Sequence, residues 1–291
     1  MAPSTDRQTD EGKVPSRRAL LGALGGAVGL PLGAGASVYA GDRRFTDEDS
    51  DGIPDDKERS EPFNDRLEAL FGAEQFERVD PARRNLLLDV RYVEGTSIDW
   101  RTKKSIEKRF REQGIHAQWL DYPREYDRER FEERYGWNVK SVLWERDGFY
   151  HEEVEPFVRD VAIQLVVVPG HDSEEYAGLV YSPWAKLLGS GVDGHVNGFS
   201  VGNRAIVGER DDRWEQERLV FHEIAHLALC HDDDPANTGV MGTNDEIALT
   251  DEEWAKIKAH LDDVRDTSGY DIVLRKCLWE RSLDGVTDQF S

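Results

Sequence analysis

The feature that most constrains this chain is the pentapeptide His222-Glu223-Ile224-Ala225-His226, in which two histidines lie four positions apart. On an α-helix, residues i and i+4 lie one turn apart on the same face, so both imidazoles can bind one Zn²⁺. Glu223 would then lie beside a metal-activated water, where it can act as general base. Apolar neighbours predict that this helix is embedded in a core: Leu219, Val220, Phe221, Leu227 and Leu229.

Residues downstream of the pentapeptide extend the pattern. His231 and Asp232 follow it closely, and Met241 lies in a Gly-Val-Met-Gly segment. The run resembles the metzincin zinc endopeptidases, particularly the matrixin type, whose pattern is H-E-x-x-H-x-x-G-x-x-H followed by a methionine turn beneath the metal. The Leu249–Trp254 segment is also similar to matrixins. The resemblance implies a zincin-like catalytic domain, hydrolysis of protein or peptide substrates, and a Met-turn role for Met241.

The third zinc ligand departs from the family pattern. The family spacing places the third histidine on Asp232 and the family glycine on Leu229. A histidine lies one position earlier, at 231, and neutral imidazole suits zinc better than a carboxylate does. We therefore predict His222, His226 and His231 as the zinc ligands, with Asp232 as the alternative to His231.

Two other functional interpretations stay open. Glu246 lies twenty residues after His226, which is the ligand spacing of thermolysin-like gluzincins. Alternatively, the chain would be a non-enzymatic, exported surface protein that binds calcium and zinc. Cys230 and Cys277 are either a disulfide formed after export or two free thiols.

A second metal motif lies near the amino terminus. Asp47, Asp49 and Asp51 alternate along the chain, a glycine follows, and Glu58 comes after five more residues. This spacing directs alternate carboxylates at one cation and ends on a glutamate that can chelate with both oxygens. Because Pro54 removes a backbone N–H, the segment resembles the thrombospondin type 3 calcium repeat more than an EF-hand. We predict one structural Ca²⁺ site.

The first forty residues carry an export pattern. Arg17 and Arg18 precede a Gly- and Ala-rich apolar run that extends to Ala40, which resembles a twin-arginine signal peptide. We predict cleavage after Ala40, an extracellular mature protein and no stable membrane insertion; an uncleaved anchor at the outer face of the membrane is the alternative. The predicted organisation is a signal peptide (1–40), an acidic calcium-binding segment (41–60), a helical linker (61–84) and a zinc metalloprotease domain (85–291).

The charge balance is strongly acidic. The chain has 37 Lys and Arg residues against 59 Asp and Glu residues, a formal net charge of −22. Such a charge argues against nucleic-acid binding, because phosphate contacts need basic side chains. The dense carboxylates, with Asp over Glu and Arg over Lys, are typical of proteins adapted to molar salt. We therefore predict that the fold depends on salt to screen mutual repulsion.

Hydrophobic periodicity predicts an α+β fold. The metzincin resemblance implies that this fold contains a mixed, twisted sheet, an active-site helix and a C-terminal helix. The predicted strands cover residues 86–93, 115–120, 163–168 and 204–207, and the predicted helices cover 100–113, 124–135, 212–229 and a segment that begins at Thr250. The Gly-rich stretch from Gly189 to Gly202 is predicted to be a surface loop. An extended substrate is expected to pair with the strand around Ala205–Val207.

Overall fold

The apolar runs predicted as strands pair into one sheet. The computed structural model describes residues 46–143, 145–170, 179–180, 195–196, 198–201, 203–226, 239–241 and 247–265. The strands are β1 (Asn85–Tyr92), β2 (His116–Asp121), β3 (Ala162–Val168), β4 (Leu179–Val180), β5 (His195–Val196), β6 (Gly198–Val201) and β7 (Arg204–Gly208). The helices are α1 (Asp55–Glu58), α2 (Glu61–Phe71), α3 (Trp100–Glu112), α4 (Arg128–Tyr135), α5 (Val139–Leu143), α6 (Phe149–Glu153), α7 (Pro156–Arg159), α8 (Arg213–His226) and α9 (Asp251–Arg265).

The main sheet has five strands in the order β2-β1-β3-β7-β6. The first four strands are mutually parallel, and β6 runs antiparallel to β7 at the end of the sheet. β4 and β5 form a separate antiparallel pair. The described fold is therefore a mixed sheet with helices, which confirms the predicted α+β class.

Helices cover both faces of this sheet, because alternate residues of each strand point to opposite sides. One face packs Leu87 and Ile206 against α2 and the helices between β2 and β3. The other face packs Leu88, Leu165 and Val207 against α3, α8 and α9. The predicted active-site helix is thus embedded in the second core.

Helix ends follow local capping signals. The Thr250–Glu253 capping box forms, with the Glu253 amide donating to Thr250 Oγ1 at 3.2 Å and the Thr250 amide donating to Glu253 Oε2 at 2.6 Å. Helix α4 begins at Arg128, later than the predicted residue 124. Before the helix the chain bends at residues 123–124, and Tyr126 then forms an isolated parallel bridge with Val93, in which the Tyr126 amide donates to the carbonyl of Tyr92 at 2.8 Å.

Two expectations about the end of the sheet were wrong. Residues 198–201 form strand β6 where the Gly-rich composition predicted a loop. The strand around Ala205–Val207 is internal, since β7 pairs with β3 on one side and β6 on the other. It therefore has no free edge for a substrate, and β6 is the outermost strand of the described sheet on this side.

No helix within the described residues is long and apolar enough to cross a membrane. The predicted signal peptide, residues 1–40, lies outside the described part of the chain.

Candidate metal centre and active site

Helix α8 (Arg213–His226) carries the pentapeptide. Asp212 starts the helix, because its Oδ1 accepts the amide hydrogens of Trp214 at 2.8 Å and Glu215 at 3.0 Å. Two polar side chains then fix the helix beside α3: Gln216 Nε2 donates to the carbonyl of Ser97 at 2.7 Å, and Ser105 Oγ donates to Glu217 Oε1 at 2.5 Å. The apolar face of Val220, Phe221 and Ile224 is buried. The position of the histidine pair is therefore set by the core and by α3.

The two histidines of the motif converge on one point. His222 Nε2 and His226 Nε2 are 2.7 Å apart, and the ring centroids are 4.2 Å apart with the rings nearly perpendicular. Both side chains are half-buried, so part of each imidazole ring is accessible to solvent. The spacing of four residues thus places both ligand nitrogens where one cation could contact them.

The orientation of His222 is fixed by a hydrogen bond on the ring nitrogen that faces away from His226. Its Nδ1 lies 2.8 Å from the carbonyl oxygen of Val240. A carbonyl only accepts hydrogen bonds, so Nδ1 carries the proton and the lone pair of a neutral ring is on Nε2. Histidines that bind metals are typically held in this way by an outer partner, which fixes the tautomer.

The segment that supplies this carbonyl is itself held in place. The Val240 amide donates to the carbonyl of Ala248 at 2.8 Å. Gly239 turns the chain there with a φ of 87°, and a Cβ at this position would lie 2.3 Å from the Ala248 carbonyl oxygen. Met241 follows and is buried in the same core cluster as Phe221. The predicted Met-turn residue therefore lies next to the residue that orients His222.

Glu223 lies on the sheet side of the helix. Its side chain is 4% exposed. Strand β6 approaches it closely, since a Cβ on Gly198 would lie 2.6 Å from Glu223 Oε1 and 2.9 Å from its Cδ. Only a glycine at the start of β6 leaves room for the carboxylate in this position.

The donor set fits zinc. Imidazole nitrogens bind Zn²⁺ at about 2.0–2.1 Å, so tetrahedral ligation sets two of them about 3.3 Å apart. The observed separation of 2.7 Å comes within about 0.6 Å of that value. Small rotations of two half-buried rings can supply the difference. Glu223 follows His222 in the chain, but its carboxylate takes no part in the contact between the two histidine nitrogens.

The remaining candidates for the site lie outside the described residues. These are His231, Asp232 and Glu246, the three alternatives for the third ligand, together with both cysteines. The choice of His231 over Asp232 therefore stays a prediction.

The predicted calcium ligands lie apart from α8 in the chain. Asp47, Asp49 and Asp51 each offer an oxygen within 4.8 Å of the others. Glu58 is joined to Asp51 through Asn85, which donates to both carboxylates.

Three contributions to these sites were not found from sequence. Val240 lies in an apolar stretch and Gly198 in a Gly-rich one, and neither has a motif that marks a role. Asn85 comes directly before the predicted strand that begins at residue 86. Their roles arise from contacts between distant parts of the chain. For Gly198, the one available signal was a glycine inside a strand, which often marks close approach of another group.

Comparison with protein-family models and with curated protein sequences gives no match. Among solved structures, the chain is similar to archaemetzincin (amzA) from Methanopyrus kandleri, at 17% sequence identity and a TM-score of 0.33. The similarity covers 69% of this chain and 96% of that chain.

Replacing Gly198 with alanine should displace the Glu223 carboxylate, because the new Cβ would lie 2.6 Å from Oε1. The predicted role of Glu223 as general base then implies a fall in kcat of about 10–100-fold with zinc retained, since a displacement of about 1 Å costs a catalytic group this much. Kinetics and metal content would be measured together. Ser200→Ala, on the same strand, is the control, and an unchanged kcat in Gly198→Ala would show that this contact does not position Glu223.

Proposed function

We propose that this chain is a zinc-dependent peptidase that hydrolyses peptide bonds in protein substrates. The observation that carries the proposal is the convergence of His222 and His226 at 2.7 Å beside the buried Glu223. Structural zinc sites normally fill all four positions with protein ligands and usually include cysteine. A glutamate beside two helical histidines is instead what a hydrolytic site needs.

The histidines hold the metal in this proposal. His222 and His226 bind through Nε2, and the Val240 carbonyl keeps His222 in the tautomer that ligation requires. When bound, Zn²⁺ supplies a Lewis acid that polarises the scissile carbonyl and acidifies a water molecule. His231 is the proposed third ligand, with Asp232 as the alternative.

Glu223 moves the proton. As a carboxylate it accepts a proton from the attacking water and passes that proton to the leaving amine nitrogen, which converts a poor leaving group into a neutral amine. Its burial between α8 and β6 excludes bulk water from most of the side chain.

The substrate is proposed to lie along β6. This strand is the outermost one of the described sheet on the side of Glu223, and Gly198 at its start approaches the carboxylate. An extended peptide that pairs with a strand edge gains main-chain hydrogen bonds irrespective of its sequence. This replaces the internal strand around Ala205–Val207 as the expected binding edge.

We further propose that the enzyme acts outside the cell. The support is the Arg17-Arg18 pair before the apolar run that ends near Ala40. A twin-arginine route exports folded proteins, which suits an enzyme whose metal would be loaded before export.

The proposed activity is tested by removal and return of the metal. We expect purified protein to cleave a denatured protein substrate in molar KCl, to lose this activity after treatment with a zinc chelator, and to regain it on adding stoichiometric Zn²⁺. Gel or mass-spectrometric detection of new peptide termini is the measurement. Cleavage that persists in metal-free protein, or an absence of cleavage by fully zinc-loaded protein, would contradict the proposal.

A further inference from the structure

Three aspartates meet at the start of the described chain. Asp47, Asp49 and Asp51 place one oxygen each within 4.8 Å of one another. Asp51 is buried, and the other two are half-buried. Such a group of like charges costs free energy unless something of opposite charge offsets it. Clusters of acidic side chains are common on protein surfaces without a bound ion. Whether this cluster binds a cation therefore depends on the residues around it.

Glu58 supplies the independent observation. It is 2% exposed, and its Oε2 is buried with no hydrogen-bond partner among the described residues. Its other oxygen, Oε1, accepts from Asn85 Nδ2 at 2.9 Å, and the Asn85 amide donates to Asp51 Oδ2 at 2.6 Å. Asn85 thus bridges Glu58 to Asp51, and the Glu58 carboxylate lies near enough to Asp47, Asp49 and Asp51 for each of them to repel its charge. A buried carboxylate oxygen without a donor is costly unless a cation contacts it.

Three of the four carboxylates have no basic partner among the residues that the structure describes. In the described part of the chain, Asp47, Asp49 and Glu58 form no ion pair with Lys or Arg. The nearby Arg84 donates from Nε to the backbone carbonyl of Asp49, at 2.9 Å, and not to a carboxylate. Burial, and then repulsion from Asp51, raises the pKa of Asp49 to about 7 and that of Glu58 to about 8.

We propose that Asp47, Asp49, Asp51 and Glu58 bind one Ca²⁺ ion, and that this ion clamps the segment around it to the first residue of β1. The donors are all hard oxygens, which select Ca²⁺ or Mg²⁺ over Zn²⁺. Calcium binds oxygen at 2.3–2.6 Å, so ligands on opposite sides of the ion are up to about 5 Å apart, whereas magnesium allows only about 4.2 Å. The limit of 4.8 Å within which the three aspartate oxygens lie is compatible with the wider calcium sphere.

The clamp lies at a structurally central place. Asn85, which donates to two of the four carboxylates, begins β1, and β1 lies between β2 and β3 in the sheet. Ile53, within the acidic loop, is fully buried in the same core cluster as Leu87 of β1. Glu58 also accepts at its backbone carbonyl from Asn64 Nδ2 of α2, at 2.7 Å. Bound calcium would therefore stabilise the whole fold and not only its terminal loop.

Thermal unfolding of the zinc-loaded full chain tests the clamp. At constant ionic strength, calcium at about 100 times its dissociation constant should raise Tm by about 5–10 °C, and equal magnesium by much less. Glu58→Gln should lose most of this rise. In calcium-free buffer the same variant should melt at or above the wild type, because it lacks a buried, repelled carboxylate. Calorimetric titration should give one Ca²⁺ per chain, with zinc content unchanged throughout.

Glu48→Gln is the matched control. It removes the same charge from the same loop, but the Glu48 side chain is exposed. The hydrogen bond between Glu48 and Asp55 is donated by the Glu48 backbone amide, so the substitution leaves it in place. This variant should keep the full calcium response. The proposal is overturned if calcium leaves the wild-type Tm unchanged, if magnesium acts equally well, or if Glu58→Gln responds as the wild type does. Should Glu58→Gln fail to fold, the wild-type titration and Asp49→Asn decide the question.

Discussion

Glu223→Gln is expected to lower peptide hydrolysis by at least about 10³-fold while zinc remains bound. Glutamine has nearly the same shape, so it fits the space that Gly198 leaves beside the side chain. It cannot accept the proton of the attacking water, and positioned acid–base groups contribute about 10²–10⁴-fold to rates. Single-turnover cleavage and metal content would be measured on the same samples.

Glu215→Gln is the matched control for this change. Glu215 lies in the first turn of the same helix, is exposed, and makes the same change of charge on substitution. Its activity should equal that of the wild type. Loss of zinc from Glu223→Gln would mean that Glu223 ligates the metal, and substantial remaining activity would mean that another group takes the proton.

The second large effect is the loss of zinc when a ligand is removed. His222→Ala and His226→Ala should each weaken zinc binding by more than about 100-fold, because even outer partners of metal ligands are worth 10–100-fold. His116→Ala is the control, since this histidine lies on β2 and faces Glu77 at 3.2 Å. Competition with a chromogenic chelator measures all three affinities.

The same assay decides the third ligand. His231→Ala should lose its metal and Asp232→Ala should keep it. The opposite pattern would establish a His-His-Asp site, and loss in Glu246→Ala alone would favour the gluzincin spacing.

Local signals allowed much of the fold to be predicted from sequence. Asp212 caps α8 through bonds that span two and three residues, and Thr250 and Glu253 cap α9 within one turn. The convergence of His222 and His226 follows in the same way from the pitch of a helix. Each of these features depends only on residues that are close in the chain.

The parts that sequence did not predict depend on distant contacts. Strand β6 forms because residues 198–201 pair with β7, although their composition favours a loop. The Val240 carbonyl reaches His222 across 18 residues, and Asn85 reaches Glu58 across 27. Val240 and Asn85 belong to no sequence motif. Their roles are therefore recognised only from the folded structure, in which their partners lie beside them.

Anomalous X-ray scattering at the zinc absorption edge tests the central assignment most directly. Crystals of the zinc-loaded protein should give a peak about 2.0–2.1 Å from both His222 Nε2 and His226 Nε2, with Glu223 beside it. The third ligand would be identified in the same map. A zinc peak bound to other residues, with His222 and His226 still paired directly through their nitrogens, would contradict the metal site and the peptidase mechanism built on it.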